Sequence, residues 1–243
     1  MNSTKRICLW SGPRNISTAL MYSFGNRADT AVVDEPFYGY YLANSKASDY
    51  HPSAQEIIQS MECDGQKVIE QLLSMNSHDI FFIKNMPHHV FNLPLEFLAE
   101  MEHLLLIREP EAMVRSFAKV IEQPQLEDFG YLDHLKLIEE LKKRGLNFYL
   151  LDSKEVLANP EKRLRQLCSD LEIPFSNQML SWKAGPRKED GIWAKHWYKN
   201  VHQSNSFQSP AKSQKETIPE YLHPLVNELN PLYQAIIDSQ KPT

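Results

Sequence analysis

Residues 6–24, RICLWSGPRNISTALMYSF, decide the fold. Ile7, Cys8, Leu9 and Trp10 form an apolar run of strand length, and Gly12-Pro13 breaks it with a turn. The pattern then restarts at helical spacing through Ala19, Leu20 and Met21, with Ser17 and Thr18 placed to cap the helix. A strand that turns directly into a helix leaves the helix's first N–H groups without intrahelical partners. They point into the turn, with the positive end of the helix dipole behind them. Such a junction holds phosphate or sulfate oxygens, and the Arg14 guanidinium adds a fork of charged donors.

Working outward, four further apolar runs follow at residues 30–34, 79–84, 103–108 and 147–152, each bounded by polar or turn residues. DIFFIK and HLLLIR are continuous apolar runs ending in a charge, as expected of parallel strands covered on both faces with a site at their carboxyl edge. Helical patterns lie between them at about residues 54–75, 110–121, 131–144 and 160–171, the last opened by Asn159 as cap and Pro160 at the first helical position. This β-α alternation predicts a doubly wound or P-loop-like α/β domain. After Pro174 the pattern thins into loops. Residues 203–219, rich in Ser, Lys and Gln, read as a mobile or ligand-ordered segment before a final helix near 221–239.

At 243 residues and 28.2 kDa the chain fits one domain spanning residues 1–243, with a core at about 5–175 and C-terminal loops and a helix at about 176–243. A net charge of -5 provides no global basic field, so nucleic-acid binding through net charge is not expected. Cys8, Cys63 and Cys168 lie far apart and suggest neither a disulfide framework nor a zinc site. No segment approaches the roughly 18 consecutive apolar residues of a membrane span, and no signal-peptide core is present. A cytoplasmic protein with no membrane partner is the expectation.

The loop departs from the nucleoside-triphosphate pattern G-x-x-x-x-G-K-[ST], which requires a second glycine and a lysine. The order P-R-N-I-S-T instead resembles the 5′-phosphosulfate loop of sulfotransferases that use 3′-phosphoadenosine 5′-phosphosulfate (PAPS). A second stretch, LLLIREPEAMVRSF at residues 104–117, places Arg108 at a strand end, Pro110 at a helix start and Ser116 eight residues after Arg108. This resembles the 3′-phosphate motif of the same enzymes. With both motifs in order the chain resembles the PAPS-dependent sulfotransferases, specifically a compact bacterial-type branch closer in layout to tyrosylprotein sulfotransferases than to the cytosolic steroid and phenol enzymes. The resemblance covers about residues 5–195. It implies a three-layer α/β/α P-loop NTPase-like fold with a central, mostly parallel five-stranded sheet, and transfer of a sulfuryl group from PAPS to an acceptor hydroxyl or amine, releasing PAP.

The resemblance also implies roles. Arg14, Asn15, Ile16, Ser17 and Thr18 would hold the 5′-phosphosulfate, and Arg108 and Ser116 the 3′-phosphate. No metal is implied. Glu35, after the strand in TAVVDEPF, stands where tyrosylprotein sulfotransferases carry a catalytic glutamate, with Asp34 one residue away. The rival base is His88 or His89 in FIKNMPHHVF, where Met86 stands two residues beyond Lys84 in place of the histidine of the cytosolic enzymes' K-T-H pattern. Lys84 at its strand end would stabilise charge on the leaving phosphate oxygen. GPRKEDGIW at residues 185–193 is a loosened version of the family's R-K-G-x-x-G-D-W loop, with Arg187 and Lys188 as the pair gripping the 3′-phosphate and Glu189 where the first glycine would stand. Trp193, Trp197 and Tyr198 read as core packing or an acceptor-site wall, and the stretch around FYGYY as a wall of the acceptor cleft or simple packing.

The rival functions are a P-loop kinase, for which the loop lysine is missing, and a PAP-binding protein without catalysis. Nothing in the chain resembles a pyridoxal-phosphate lysine site. The expected partner is a small-molecule acceptor, not a nucleic acid. The sequence leaves the acceptor's identity and a homodimer open.

Overall fold

The run at residues 7–10 is the centre of a five-stranded sheet in the computed structural model, which describes residues 4–118, 123–207 and 218–240. The strands are β1 (Lys5–Ser11), β2 (Thr30–Asp34), β3 (Ile80–Asn85), β4 (Glu102–Ile107) and β5 (Phe148–Asp152). They lie in the order β2-β3-β1-β4-β5 with every neighbouring pair parallel. The helices before β4 are α1 (Ser17–Gly25), α2 (Tyr38–Ala43), α3 (Ala54–Ser60) and α4 (Gly65–Ser74). After it come α5 (Pro110–Phe117), α6 (Tyr131–Lys143), α7 (Ser153–Ala158), α8 (Pro160–Asp170), α9 (Ala194–Trp197), α10 (Lys199–His202) and α11 (His223–Asp238).

Alternation along each strand divides the core in two. Ile7, Leu9, Phe82, Leu104 and Leu106 pack on one side with Leu20, Met21 and Phe24 of α1 and Leu164 and Leu167 of α8. Phe24 stacks on Phe82 with ring centroids 4.1 Å apart. Cys8, Trp10, Phe81, Ile83, Leu105 and Ile107 pack on the other side against α4, α5, α6 and α11. Both faces of the sheet are therefore dry, which is why the strands read as continuous apolar runs. Each fully buried Leu or Ile side chain contributes roughly 1.5–3 kcal/mol relative to exposure. Among the described residues no helix is long and apolar enough to cross a membrane.

Two local expectations are corrected. The helical pattern at 54–75 is two helices, because the chain is extended at Met61 and restarts where the Asp64 side chain accepts the N–H groups of Gln66 and Lys67. Ser17 and Thr18 do not cap α1; they are its first residues, and Ile16 stands at the cap position with no side-chain bond. Asn159 does cap α8, accepting from the Lys162 N–H. The final helix begins at His223, after a short 3-10 turn at Glu220–Leu222. Most of the segment expected to be mobile, residues 208–217, lies outside the described residues, as do residues 119–122 beyond α5.

One buried group gives the fold a pH dependence. His103 accepts the Trp10 indole N–H at Nδ1 (3.1 Å), and its Nε2 lies 3.0 Å from the Leu98 carbonyl, to which it donates. This is the neutral tautomer, and burial lowers its pKa to about 4. Protonation would set a second N–H against the indole. The unfolded chain takes up that proton below about pH 6.5, so stability is fully present above that pH and declines toward pH 4. Buried His89 and His134 and partly buried His51 are lowered too, and with His103 these four histidines against the one raised carboxylate, Glu35, set the sign. The thermal unfolding midpoint should be lower at pH 5 than at pH 7.5. Equal midpoints would contradict a neutral His103.

Candidate functional site

The carboxyl ends of four adjacent strands meet in the order Asp34 at the end of β2 with Glu35 after it, Lys84 on β3, the loop after β1, and Arg108 after β4. Parallel register sets this edge: Asp34 is opposite Lys84, and Ser11 opposite Leu106. The edge divides into an arginine half and a carboxylate half.

The loop after β1 is held closely. Asn15 donates from Nδ2 to the Leu106 carbonyl (3.3 Å) and accepts the Ile16 N–H (2.9 Å), tying the loop to β4. A Cβ on Gly12 would lie 2.8 Å from the Phe129 carbonyl oxygen, and a Cβ on Gly130, at φ 72°, would lie 3.2 Å from the Gly12 Cα. Only glycine permits that approach. Arg14 sits in the left-handed region at φ 55°, an uncommon conformation for a residue with a side chain. Its Nε donates to the Ser116 hydroxyl at 3.2 Å, and the Arg108 guanidinium donates to the Arg14 carbonyl at 2.6 Å. The Tyr131 hydroxyl donates in turn to the Arg108 carbonyl.

The sequence-predicted residues Arg14, Asn15, Ile16, Ser17, Thr18, Arg108 and Ser116 are thus brought together around one loop and the start of α1. Both guanidiniums are half-buried. Burial lowers the pKa of Arg14; burial and then the charge of Arg14 lower that of Arg108. Among the described residues neither arginine forms an ion pair with a carboxylate. Two partly desolvated cations side by side are costly unless an anion joins them.

The carboxylate half is closed on itself. Lys84 Nζ donates to Asp34 Oδ1 (2.7 Å), to Glu35 Oε1 and to the Tyr198 hydroxyl (2.8 Å), which uses all three of its hydrogens. Asp34 Oδ2 accepts from the Tyr198 hydroxyl (2.6 Å) and the Gly191 N–H (3.4 Å). The Trp193 indole N–H donates to the Tyr198 oxygen at 3.2 Å. Burial opposes the Lys84 ammonium, yet Asp34 and Glu35 hold its pKa well above the usual lysine value. Glu35 is buried at 7% exposure, and desolvation raises its pKa against the pull of Lys84. Its backbone, at φ 44°, is left-handed like that of Arg14. A buried carboxylate with raised pKa and left-handed backbone makes Glu35 a candidate for proton transfer.

His88 is half-exposed, with Nδ1 3.2 Å from Asp133 Oδ2 and its ring edge-on to Tyr41. His89 is buried and stacks with Tyr38 (5.1 Å) and Tyr41 (4.7 Å), and its Nδ1 has no hydrogen-bond partner. Burial, then the charges of His88 and Lys84, keep it neutral. The FYGYY segment therefore packs on the histidines beside Glu35.

The late loop is arranged differently from its sequence reading. The Arg187 guanidinium lies over the Tyr22 ring at 4.3 Å and donates to the Tyr22 carbonyl at 3.5 Å. Lys188 is exposed, 3.6 Å from Glu189. Neither contacts Arg14, Arg108 or Ser116. Asp190, by contrast, accepts from the Tyr22 hydroxyl (2.7 Å) and the Arg187 N–H (2.8 Å) and lies 2.9 Å from His202 Nε2, which pins the segment to α1. Asp190, His202 and Tyr22 escaped the sequence reading, and Tyr198, read there as core packing or an acceptor-site wall, bonds instead to Asp34 and Lys84. Tyr198 and Asp34 are 164 residues apart, and no spacing links them. Among the described residues no group of three or more His, Cys, Asp or Glu side chains is placed to hold a metal ion.

Comparison with known proteins follows the same line. A family model described as "Sulfotransferase domain" matches residues 5–238. The chain is similar to branched-chain-amino-acid aminotransferase-like proteins 1 and 2 of Arabidopsis thaliana, at 40% identity over 230 residues and 37% over 229. Each match covers 93% of this chain but only 40% of the relative, so the chain spans well under half the length of these curated relatives. Among solved structures, the sulfotransferase domain of the Synechococcus PCC 7002 olefin synthase superposes with TM-score 0.55 at 16% identity, covering 96% of both chains. The sulfotransferase domain from the curacin biosynthetic pathway does so with TM-score 0.52 at 16% identity, covering 99% of this chain and 98% of that one. At that identity the likeness is one of fold.

Proposed function

The chain belongs to the sulfotransferase family, and from that premise we propose that it transfers a sulfuryl group from PAPS to a hydroxyl or amine of a small acceptor, releasing PAP. The observation that carries this reading is the pairing of Arg14 and Arg108, half-buried, mutually repelling and, among the described residues, in no ion pair with a carboxylate, beside Ser116 and the first turn of α1. That constellation suits two anionic groups on one ligand: the phosphosulfate at Arg14 and the α1 amides, and the 3′-phosphate at Arg108 and Ser116.

Glu35 is the base in this reading. It accepts the acceptor's proton as the acceptor atom bonds to sulfur and the bond from sulfur to the 5′-phosphate oxygen breaks, the electron pair leaving with PAP. Arg14 and the α1 amides face the charge that grows on that oxygen. Lys84 serves the leaving phosphate only by exchanging one of its three present bonds, whereas Arg14 needs no such exchange. Arg187 and Lys188 reach the nucleotide only if the late loop moves from Tyr22. The surroundings of Glu35 are carboxylates matched by Lys84, neutral His89 and tyrosine rings, which favours an uncharged or cationic acceptor over an anionic one.

The test is calorimetric titration with PAP, ADP, and ATP plus magnesium. PAP is expected to bind at least about tenfold more tightly than ADP, since one further charge-assisted phosphate contact contributes roughly 1.5–3 kcal/mol. A preference for ATP with magnesium, or no PAP binding, overturns the assignment.

A further inference from the structure

The late segment between α9 and α10 supplies a side chain to the base centre. We infer that Tyr198 is a positioning residue for Glu35: its hydroxyl fixes where the Lys84 ammonium points and which oxygen of Glu35 stays open to the acceptor. This deepens the sulfotransferase reading and rests on Glu35 being its base.

The hydroxyl is fully engaged. It donates its hydrogen to Asp34 Oδ2 and accepts from Lys84 Nζ and Trp193 Nε1. Every donor and acceptor around it is buried, so none of these bonds is exchanged with water at little cost. Without Tyr198 the three Lys84 hydrogens would have only two carboxylates to share, and the ammonium would swing toward the Asp34 oxygen that Tyr198 had held, away from Glu35. With it, Glu35 receives Lys84 at Oε1 alone among the described residues, which leaves Oε2 to take a proton. Trp193 in turn orients the hydroxyl, and the Gly191 N–H supports the same Asp34 oxygen. A Cβ on Gly191 would fall 2.1 Å from the Trp193 ring, so that close approach of backbone to indole depends on glycine.

The groups that face Glu35 are Asp34 from β2, Lys84 from β3, His88 from the turn after β3, Tyr38 from α2 and Tyr198. Removing the Tyr198 hydroxyl takes one donor from the Asp34 carboxylate, and the Lys84 ammonium that moves to replace it leaves the Glu35 carboxylate less compensated. The Glu35 titration should therefore move up, not down.

The experiment is carboxyl-carbon NMR titration of the full chain labelled at glutamate Cδ, with the Glu35 resonance assigned by its loss in Glu35→Gln. Tyr198→Phe is expected to raise the Glu35 midpoint by roughly half to one pH unit, and Trp193→Phe to raise it less. Trp193→Phe also serves if Tyr198→Phe fails to fold. A folded variant whose Glu35 midpoint is unchanged or lowered overturns the proposal. The measurement needs no acceptor and no turnover, so it is separable from the base assignment. If Glu35→Gln leaves turnover intact while Tyr198→Phe still shifts the midpoint, the base reading fails and the coupling stands.

Discussion

Glu35→Gln is expected to lower turnover by about two to four orders of magnitude while changing PAP affinity by no more than about threefold. The amide keeps the volume and still accepts from Lys84, so the buried network around Asp34 and Tyr198 is preserved. What is lost is the proton acceptor. Turnover is read as PAP released from PAPS, with water or an added alcohol as acceptor, beside a PAP titration of the same preparation. The wild-type rate should rise with pH, because the carboxylate must be ionised to act, and its acid limb should lie above the ordinary carboxylate range, since burial raises the Glu35 pKa. A variant that turns over normally removes Glu35 from the base role and returns attention to His88, which stands nearby on Asp133.

Arg108→Ala is expected to weaken PAP binding by about 1.5–3 kcal/mol, since it removes a charged hydrogen-bond partner of a phosphate. Arg108 also donates to the Arg14 carbonyl, so the same change loosens the loop. ADP, which lacks a 3′-phosphate, separates the two effects: its affinity should change little if Arg108 reads the 3′-phosphate. An equal loss for ADP and PAP would make Arg108 a support of the loop alone. Ser116→Ala offers a milder version of the same contrast, because the Ser116 hydroxyl already accepts from Arg14 Nε and carries no charge.

Strand and helix positions were legible because they depend on local pattern. The runs around Leu9, Phe82 and Leu105 are apolar throughout since both sheet faces are covered, and Asn159-Pro160 announces a helix start through capping and a fixed φ. Where local signals compete, the reading slipped. Ser17 and Thr18 have cap chemistry but lie inside α1, and the apolar spacing that runs on through residues 54–75 conceals the break at which Asp64 starts a new helix.

By itself the sequence determined that a strand-turn-helix carries Arg14, that a second strand ends at Arg108 ahead of Ser116, and that an acidic pair follows β2. Those are short-range facts of spacing. Only the tertiary structure decided that Arg14 and Arg108 meet with no carboxylate ion pair among the described residues, that Lys84 is committed to Asp34, Glu35 and Tyr198, and that Arg187 lies on Tyr22. Parallel pairing places β3 and β4 on either side of β1, and so brings into contact groups separated by 49 to 164 residues. Burial then sets their charges. Neither the juxtaposition nor the desolvation leaves a mark in the local order of residues, because both arise from the closing of the sheet edge by distant segments.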